Sequence, residues 1–471
     1  MIPRNLDSTV ALAVATAARY DNGVAQETID SLFRIWGLDD ARAGTPEWNP
    51  LGELIPEGAR VVIKPNWVLH YNQSGLAAAD GGMDCLITQR LLIEAVLGYV
   101  LRARPGRVTI GDAPVQGCDF PRLFQEMELD RLRELGRKYG TEVSIVDFRR
   151  TLLTRHGHSA ARREGVRDAE NFVLFDLGSD SLLENLPSRP GQLRVTMYNP
   201  DLLARTHAPG RHQYLIAREI IDADVVVNLP KLKSHMKAGV TGALKNLIGI
   251  NGNKEFLPHH RKGGSGQGGD CYEGYSFWQH CAEGLFDSAN RGQQGAGQTA
   301  LYWAAQQSLR LARVFGHEGS VEGAWHGNQT VWRTCLDLNR VLRYGRADGT
   351  LAADPQRTTI HISDAIIGGH GEGPLHVVPI ASRFVTGALN PAAAEWVNVR
   401  AMGWDPALLP IVREAFGSFR WPIATHAPER IIVLTAEGER AEAAIVPPTG
   451  LRFLASKGWL GRVEADQRKA S

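Results

Sequence analysis

The sequence has no run of 18 or more apolar residues, and this excludes a hydrophobic helix long enough to span a bilayer. Cysteine is scarce and odd in number, with five widely spaced residues and no Cys-x-x-Cys pair. This pattern excludes a disulfide scaffold or a zinc ribbon and predicts a protein of the reducing cytoplasm. The N-terminal apolar stretch has an aspartate ahead of it and lacks a charged start followed by a long apolar core, so we interpret it as a first strand rather than a signal peptide.

An excess of charge of either sign is also missing. Lysine and arginine total 52 against 51 for aspartate and glutamate, so the formal net charge is +1. A general nucleic-acid-binding protein normally has a strong basic excess, so we expect no nucleic-acid partner. Composition otherwise fits a globular protein and does not identify a function.

Short β-branched runs alternate with longer helical patterns along the chain. This alternation predicts an α/β fold, with a mainly parallel sheet and helices on both faces. Such sheets bind ligands at the carboxyl ends of their strands. The predicted strands are 10–17, 60–63, 107–110, 142–147, 224–227, 358–362 and 430–434, and the predicted helices include 26–36, 88–102 and 300–315.

The domain organisation follows from a change in composition in the middle of the chain. Residues 1–255 and 335–440 are predicted to form the α/β core, as one body or two lobes. Residues 256–334 are rich in Gly, Gln and Trp and carry a Gly-rich basic loop at 258–269, so we interpret them as an insertion that acts as a lid or an interface. Residues 441–471 form a C-terminal tail.

The strongest candidate segment is 228–249, which follows the apolar run VVV. Lys231, Lys233, Lys237 and Lys245 lie within 15 residues of one another, together with His235. The apolar spacing predicts a helix that begins near His235, and a helix N-terminus with nearby lysines favours binding of a phosphate or carboxylate. The alternative is a solvated basic helix face. A Walker loop is excluded, because Gly-Lys-Ser/Thr is missing.

Two further strand ends carry polar groups. Lys64 and Asn66 follow the strand at 60–63, and a lysine at that place is aimed into the crevice at the sheet end. Asp112 follows the strand at 107–110 and is a candidate for a metal or a substrate hydroxyl. The alternatives are a surface lysine that extends its ammonium to solvent and an aspartate that caps a turn.

Two loops complete the set of candidates. Four glycines within residues 368–373 accompany Asp364, His370 and Glu372, which are candidate metal ligands or acid–base groups; the alternative is a tight polar loop. A second loop holds Asn253 and Lys254 followed by a pair of adjacent histidines. The adjacent histidines are expected to point to different sides, in a structural or anion-contacting role. They are His259 and His260.

Several motifs occur in an order that is similar to a known family. They are VVIKPNW, GDAP, VVVNLPKLKSHMKAGVTGALKNLIGINGNKEFLPHH, ISDAIIGGHGEGP and LNPAAAEWVNVRAMGWDP. Together they resemble the domain of unknown function 362 family over about residues 8–435. The chain departs from the usual E-G-N-G-P and D-P-V-A-x-D forms, since it has His370, Glu372 and Glu395 there. Some relatives carry a cysteine-rich iron–sulfur module, which the spacing of cysteines here does not match, so no such cluster is expected.

The resemblance also implies an architecture distantly similar to that of lactate racemase-type enzymes, which use a nickel-pincer nucleotide held by Lys and His. A divalent metal, Mg or Ni, is therefore a candidate cofactor, and the reaction class stays open between racemase-like and phosphate chemistry. Fold-level analogy gives only a weak argument for function.

Two functional hypotheses remain. The first is an enzyme acting on a small anionic substrate. The second is a non-catalytic metal- or nucleotide-binding or assembly protein, which predicts oligomers that form through residues 256–334. In the first hypothesis the residues take three roles. The candidate catalytic residues are Lys64, His235, Lys245 and His370; the substrate-binding residues are Asn66, Asn228, Lys231, Lys233, Thr241, Asn246, Asn253, Lys254, His259 and His260; and the metal ligands are Asp112, Asp364 and Glu372.

Overall fold

The computed structural model describes residues 6–77, 80–154, 162–292, 295–317 and 319–464. Most of the sheet structure belongs to one large mixed sheet, and the rest forms small two- and three-stranded sheets. The strands are β1 (Thr9–Val14), β2 (Arg60–Pro65), β3 (Arg107–Asp112), β4 (Glu142–Asp147), β5 (Thr151–Thr154), β6 (Arg162–Gly165), β7 (Phe172–Asp176), β8 (Leu193–Arg194), β9 (His207–Ala208), β10 (Arg211–Ala217), β11 (Val225–Leu229), β12 (Lys231–His235), β13 (Gly239–Thr241), β14 (His260–Arg261), β15 (Thr358–Glu372), β16 (His376–Ile380), β17 (Phe384–Ala388), β18 (Ile432–Thr435) and β19 (Gly438–Ala441).

The α-helices of the described residues connect these strands or pack on the sheet. They are α1 (Asn22–Trp36), α2 (Arg90–Arg102), α3 (Phe120–Glu126), α4 (Asp130–Lys138), α5 (Pro200–Thr206), α6 (Arg218–Asp222), α7 (Phe277–Arg291), α8 (Ala296–Val314), α9 (Val331–Tyr344), α10 (Pro391–Ala401) and α11 (Pro410–Arg413).

The large sheet confirms the predicted α/β fold. Its path is β19-β18-β1-β17-β15-β11-β2-β3-β4, and β15 through β4 run parallel. Alternate residues of its central strands enter different cores. Val225 and Val227 pack with α1 and α2, whereas Val226 packs with α6 and α9 on the other face. Strands buried on both faces read as continuous apolar runs, which explains the VVV signature.

The segment after β11 departs from the prediction. A helix does not begin near His235, because residues 231–235 form β12, which pairs in parallel with β15 and antiparallel with β13. Gly239 has a φ of 83°, a left-handed conformation that suits the turn between β12 and β13. The chain then forms a 3-10 helix at Lys245–Ile250. Strands β12 and β13 are buried on both faces, so their sequence lacks the alternation of apolar and polar residues expected of a strand. The spacing of the apolar residues therefore resembles that of a helix.

The glycine-rich segment also differs from the loop that was predicted. Strand β15 continues through Glu372, and the chain then turns back into β16. The glycines allow this strand to lie directly against β12, since a Cβ at Gly373 would be 1.9 Å from the Ser234 carbonyl oxygen. The backbone of the glycine-rich segment therefore contacts the basic segment, and its glycines serve chain packing.

Within residues 256–334, α7 and α8 form a helical hairpin that packs beside β8 and β14. α9 closes the span and returns the chain to the core, where Leu336 and Leu338 are fully buried. The 16-residue helix predicted at 300–315 is α8, which begins four residues earlier, at Ala296.

Candidate functional site

Three asparagines form a buried network at the carboxyl ends of β2 and β11. Asn246 Oδ1 accepts from Asn66 Nδ2 at 3.0 Å, and Asn246 Nδ2 donates to Asn228 Oδ1 at 2.8 Å. Asn228 Nδ2 in turn donates to the Ala243 carbonyl at 2.9 Å. Each predicted asparagine is thus engaged by its neighbours, and the network fixes the 3-10 helix to the sheet end.

Lys64 is fully buried and makes three hydrogen bonds. Its ammonium lies 2.7 Å from Asp112 Oδ1, 2.9 Å from the Pro65 carbonyl and 3.1 Å from Asn246 Oδ1. Asp112 Oδ2 accepts from the Trp67 backbone N–H at 2.7 Å. Because an ammonium has three donors, Lys64 is saturated by these partners. A Cβ at Gly249 would lie 1.9 Å from Asp112 Oδ1, so only glycine fits over this pair.

Lys231 is buried and neutralised in the same way by Asp364. Its Nζ lies 2.6 Å from Asp364 Oδ2 and 2.5 Å from the Tyr20 hydroxyl, and the Tyr20 hydroxyl donates to Asp364 Oδ1. Tyr20 was missed by sequence reasoning, because it lies more than 200 residues away and no local pattern marks it. Lys231 and Asp364 therefore form a closed ion pair with Tyr20 between them.

Four other lysines lie in the same region and are far less satisfied. Lys233 Nζ donates to the Leu86 carbonyl at 2.5 Å, and Lys254 Nζ donates to the Ala113 carbonyl at 3.0 Å. Lys237 Nζ donates to Thr196 Oγ1 at 3.1 Å and lies 3.7 Å from Glu322. Lys245 Nζ has no hydrogen-bond partner or ion pair within the described ranges. We call Lys233, Lys237, Lys245 and Lys254 the lysine cluster.

The pKa values show that these ammonium groups share one environment. Burial, together with a smaller contribution from the charge of Lys245, lowers the pKa of Lys233 and of Lys254 to about 7. Burial and the charge of Lys237 also lower the pKa of Lys245. Asp112 is the carboxylate that raises the pKa of all three, and it is already paired with Lys64. The cluster is therefore buried and carries more positive than negative charge.

Polar side chains with unused hydrogen-bonding capacity adjoin the cluster. Thr241 lies opposite Lys233 in the β12–β13 pair, and its buried Oγ1 has no partner among the described residues. His235 and His259 both have a pKa well below the usual value, because burial and the charges of Lys237 and Lys245 disfavour imidazolium. Both rings are therefore neutral near pH 7.

The remaining candidates of residues 251–261 lie at the rim of the cluster. Asn253 Oδ1 accepts from Thr151 Oγ1 at 3.1 Å, so its side chain binds a neighbouring strand. His260 points into a different space from His259, and its Nδ1 is buried without a partner among the described residues.

Glu395 supports the turn that carries Lys245 and was not among the predicted site residues. Its carboxylate accepts from the Leu244 backbone N–H at 2.9 Å, and burial raises its pKa to about 7. A Cβ at Gly242 would lie 2.2 Å from Glu395 Oε1, so glycine is needed where the turn crosses this carboxyl group. Glu395 lies in the first turns of α10, far from Lys245 in the chain, so no sequence pattern connects the two residues.

His370 and Glu372 make their hydrogen bonds elsewhere. His370 Nδ1 accepts from the Leu454 N–H at 3.1 Å, and Glu372 Oε1 accepts from the Lys457 N–H at 2.7 Å. Both residues therefore hold the C-terminal segment against the end of β15. Strand β15 continues through both residues, and the acid–base roles that the sequence predicts for them remain predictions.

A cavity of about 800 Å³ lies next to the cluster, between the α7–α8 hairpin and the segment 194–198. Thr196 and Glu322, which contact Lys237, both belong to its wall, and so does His260. On the hairpin side the wall includes Tyr302 and Trp303. Residues 256–334 thus contribute to the cavity wall one of the two residues in contact with Lys237, and segment 194–198 contributes the other.

Comparison with known proteins identifies the family. Residues 163–400, about half of the chain, match the family described as domain of unknown function (DUF362). The chain belongs to this DUF362 family. The match includes the basic segment, the Gly-rich strand β15 and most of α10, so the lysine cluster lies in the part of the chain that defines the family.

Individual relatives of this DUF362 protein are distant. A thylakoid-associated protein of Synechocystis sp. is 29% identical over 345 residues, which cover 73% of each chain. A Thermotoga maritima crystal structure is 10% identical over 77% of this chain, with a TM-score of 0.29. The lactate racemase apoprotein of Thermoanaerobacterium thermosaccharolyticum is 13% identical over 64% of this chain, with a TM-score of 0.22. This chain spans about half the length of those two solved chains, and likeness at such scores has no bearing on function.

The donor set of the DUF362 chain does not match the metal site that the sequence predicted. The carboxylate of Asp112 pairs with Lys64, and that of Asp364 pairs with Lys231. The carboxylate of Glu372 accepts from the backbone N–H of Lys457. Across the described ranges, no group of three or more His, Cys, Asp and Glu side chains is placed to hold a metal ion. The same ranges contain no helix that is long and apolar enough to cross a membrane.

Proposed function

We propose that this DUF362 protein is an enzyme that acts on a small anionic substrate, and that the lysine cluster binds the phosphate or carboxylate group of that substrate. The observation that carries the proposal is Lys245, which is 8% exposed and has neither a hydrogen-bond partner nor an ion pair among the described residues. Burying an ammonium without a partner is unfavourable, because the loss of hydration is not offset by a counter-charge or an acceptor. A bound anion removes that penalty.

The number of unused donors defines the ligand. The ammonium groups of Lys233 and Lys254 each donate one N–H to a carbonyl, which leaves two N–H donors on each. The ammonium of Lys245 has all three N–H donors available. A tetrahedral phosphate or a planar carboxylate offers several acceptor lone pairs to convergent donors of this kind. The unpartnered Thr241 hydroxyl provides a further group for the same ligand.

The paired lysines have a different part in this proposal. Lys64 and Lys231 are already neutralised by Asp112 and Asp364, so they hold the framework rather than the substrate. Asn66, Asn228 and Asn246 act with them, since their amides bond to one another. The substrate-binding and catalytic roles predicted for these residues are thereby replaced by positioning roles.

The insertion supplies the space for the remainder of the substrate. The cavity of about 800 Å³ adjoins Lys237, and aromatic side chains of α8 form part of its wall. A ligand with an anionic head at the cluster and an organic body under the α7–α8 hairpin would use both features. Trp303 is 66% exposed on this hairpin, and the predicted contact between copies of the chain remains a separate prediction.

Calorimetric titration of the purified chain with inorganic phosphate and with acetate tests the site. Lys245→Met removes the unpaired charge while keeping the apolar stem, so we expect binding of the preferred anion to weaken at least about tenfold, the equivalent of 1.4 kcal/mol. Lys138→Met, on the exposed face of α4, is the matched control and should leave affinity unchanged. Unchanged affinity in a folded Lys245→Met variant would contradict the proposal.

Turnover separates an enzyme from a passive binding protein. Phosphate esters and carboxylates that bind in the titration would be incubated with the chain and followed by NMR. Conversion that is lost in Lys245→Met supports the enzyme. Tight binding with every ligand recovered unchanged would favour the alternative of a non-catalytic binding protein.

A further inference from the structure

The two histidines beside the lysine cluster are held in opposite tautomers. His235 Nδ1 faces two backbone donors, the N–H groups of Lys237 at 3.0 Å and Ala238 at 3.1 Å. A nitrogen that accepts from two N–H groups carries no proton, so the neutral ring keeps its proton on Nε2. Protonating Nδ1 would break both bonds, and therefore His235 can donate through Nε2 but cannot act as a base there.

His259 has the reverse arrangement. Its Nδ1 lies 2.6 Å from the Leu257 carbonyl oxygen, which can only accept, so Nδ1 carries the proton. The Nε2 of the neutral ring then holds an unshared electron pair. The carbonyl of Leu257 also fixes the orientation of the ring, as the partner of a catalytic imidazole commonly does.

Both rings face the same charges. Lys237 and Lys245 act on both, Lys233 acts also on His235, and Lys254 acts also on His259. The charge of the His259 ring also contributes to the lowered pKa of His235, so the two imidazoles interact electrostatically. These surroundings keep His259 neutral before an anion binds, so its electron pair is available in the resting protein.

We propose that His259 is the general base of the site and that His235 is the hydrogen-bond donor to the bound anion. The inference rests on the proposed function. Nε2 of His259 takes a proton from the substrate, and the electron pair of the broken bond stays on the substrate atom that lost the proton. Nε2–H of His235 donates to an oxygen of the substrate. The imidazolium formed at His259 keeps its Nδ1–H bond to Leu257, and the negative charge of the bound anion compensates its charge.

This assignment changes the roles that the sequence predicted. Sequence reasoning placed proton transfer on His235 and contact with the anion on His259, and the hydrogen bonds exchange them. His260 stays outside the pair, since it belongs to the wall of the neighbouring cavity.

Nitrogen-15 NMR of the full chain labelled at histidine tests the tautomers directly. The variants His235→Asn and His259→Asn assign the two rings by loss of their signals. We expect a bare Nε2 and a protonated Nδ1 in His259, and the reverse in His235. A proton on Nε2 of neutral His259 would overturn the inference, whatever the outcome for anion binding.

Inorganic phosphate then separates this inference from the proposed function. On titration we expect the Nε2 resonance of His259 to move, because it accepts from the phosphate hydroxyl, while its Nδ1 resonance changes little. His259→Asn should keep phosphate affinity within about threefold and lose the turnover of any substrate found by NMR, whereas His235→Asn should weaken phosphate binding about tenfold.

Phosphate that binds at the lysine cluster without moving the His259 Nε2 resonance, or full turnover by a folded His259→Asn variant, would overturn the inference alone. Absence of phosphate and carboxylate binding would overturn the proposed function, and the tautomers would still be readable.

Discussion

Two groups of lysines lie at the same end of the sheet, and the charged and polar partners of their ammonium groups differ. Lys64 and Lys231 are fully buried and each is bonded to a buried aspartate at 2.6–2.7 Å. Lys233 and Lys245 are also buried, but their ammonium groups have at most one carbonyl partner among the described residues. Burial and residue type are alike in the two groups. The difference lies in the counter-charge, and the proposed function assigns anion binding to the lysines that lack one.

The largest expected effect comes from removing the counter-charge of the paired group. Asp364→Asn leaves the Lys231 ammonium buried beside a neutral amide, and we expect a loss of about 3–5 kcal/mol in the free energy of unfolding. Urea unfolding measures it. Glu126→Gln, which breaks the exposed pair with Arg122, is the control and should cost less than about 1 kcal/mol. If Asp364→Asn also lost less than about 1 kcal/mol in the free energy of unfolding, the distinction between the two groups of lysines would be wrong.

The lysines without a counter-charge should make stability and anion affinity depend on pH. The pKa of Lys233 and of Lys254 is about 7 in the folded chain, against an ordinary value of 10.5. Between these values the unfolded chain binds more protons, so the anion-free protein should become more stable as pH rises from 7 toward 10.5. Phosphate affinity should fall over the same rise, because the ammonium groups lose their charge.

Thermal unfolding at pH 7, 8 and 9 and calorimetric titration with phosphate at the same pH values measure the two trends. The double variant Lys233→Met, Lys254→Met is the control. In this variant we expect both the stability and the phosphate affinity to depend less on pH. Stability that falls over this range in the wild type, with the double variant behaving alike, would show that these lysines keep ordinary pKa values.

A smaller effect is expected from the hydroxyl that joins the paired group. Tyr20→Phe removes the bond from Lys231 and the bond to Asp364 but leaves the ion pair itself intact. We expect a loss of about 1–2 kcal/mol, the range for hydrogen bonds to charged groups. Urea unfolding of Tyr20→Phe and of Asp364→Asn measures the difference between their losses of unfolding free energy. An equal loss in both variants would mean that Tyr20 is as necessary as the counter-charge.

The smallest expected change belongs to Lys245. Without an anion, Lys245→Met replaces an unpaired buried charge by an apolar side chain of similar length, so stability should stay the same or rise slightly. The measurement is urea unfolding in phosphate-free buffer. A loss comparable with that of Asp364→Asn would place Lys245 among the structural lysines.

Sequence reasoning predicted the sheet well and the local backbone of the site less well. The runs RVVI, RVTI and VVV became β2, β3 and β11 because strands buried on both faces are continuously apolar. The segment from about His235 onward is predicted as a helix, but the chain forms the end of the β12–β13 hairpin there and then a 3-10 helix. Its apolar spacing cannot distinguish the two, since burial on both sides removes the period of two on which a strand prediction depends.

The lysines were found from sequence, but their roles were not. A lysine after a buried strand is visible as a pattern, whereas its counter-ion comes from any part of the chain. Asp112 pairs with Lys64 across 48 positions, and Tyr20 meets Asp364 across 344. Glu395 likewise reaches the turn before Lys245 across about 150 positions. No spacing rule connects such residues.

The sequence by itself determined the α/β class, the family and the concentration of basic residues at strand ends, because apolar runs, motif order and residue type are local properties. Tertiary structure decided which lysines are neutralised, which histidine nitrogen carries the proton, and that His370 and Glu372 face the C-terminal segment. Those outcomes depend on distances and partners between residues far apart in the chain, and charge, hydrogen bonding and burial act only once folding has brought them together.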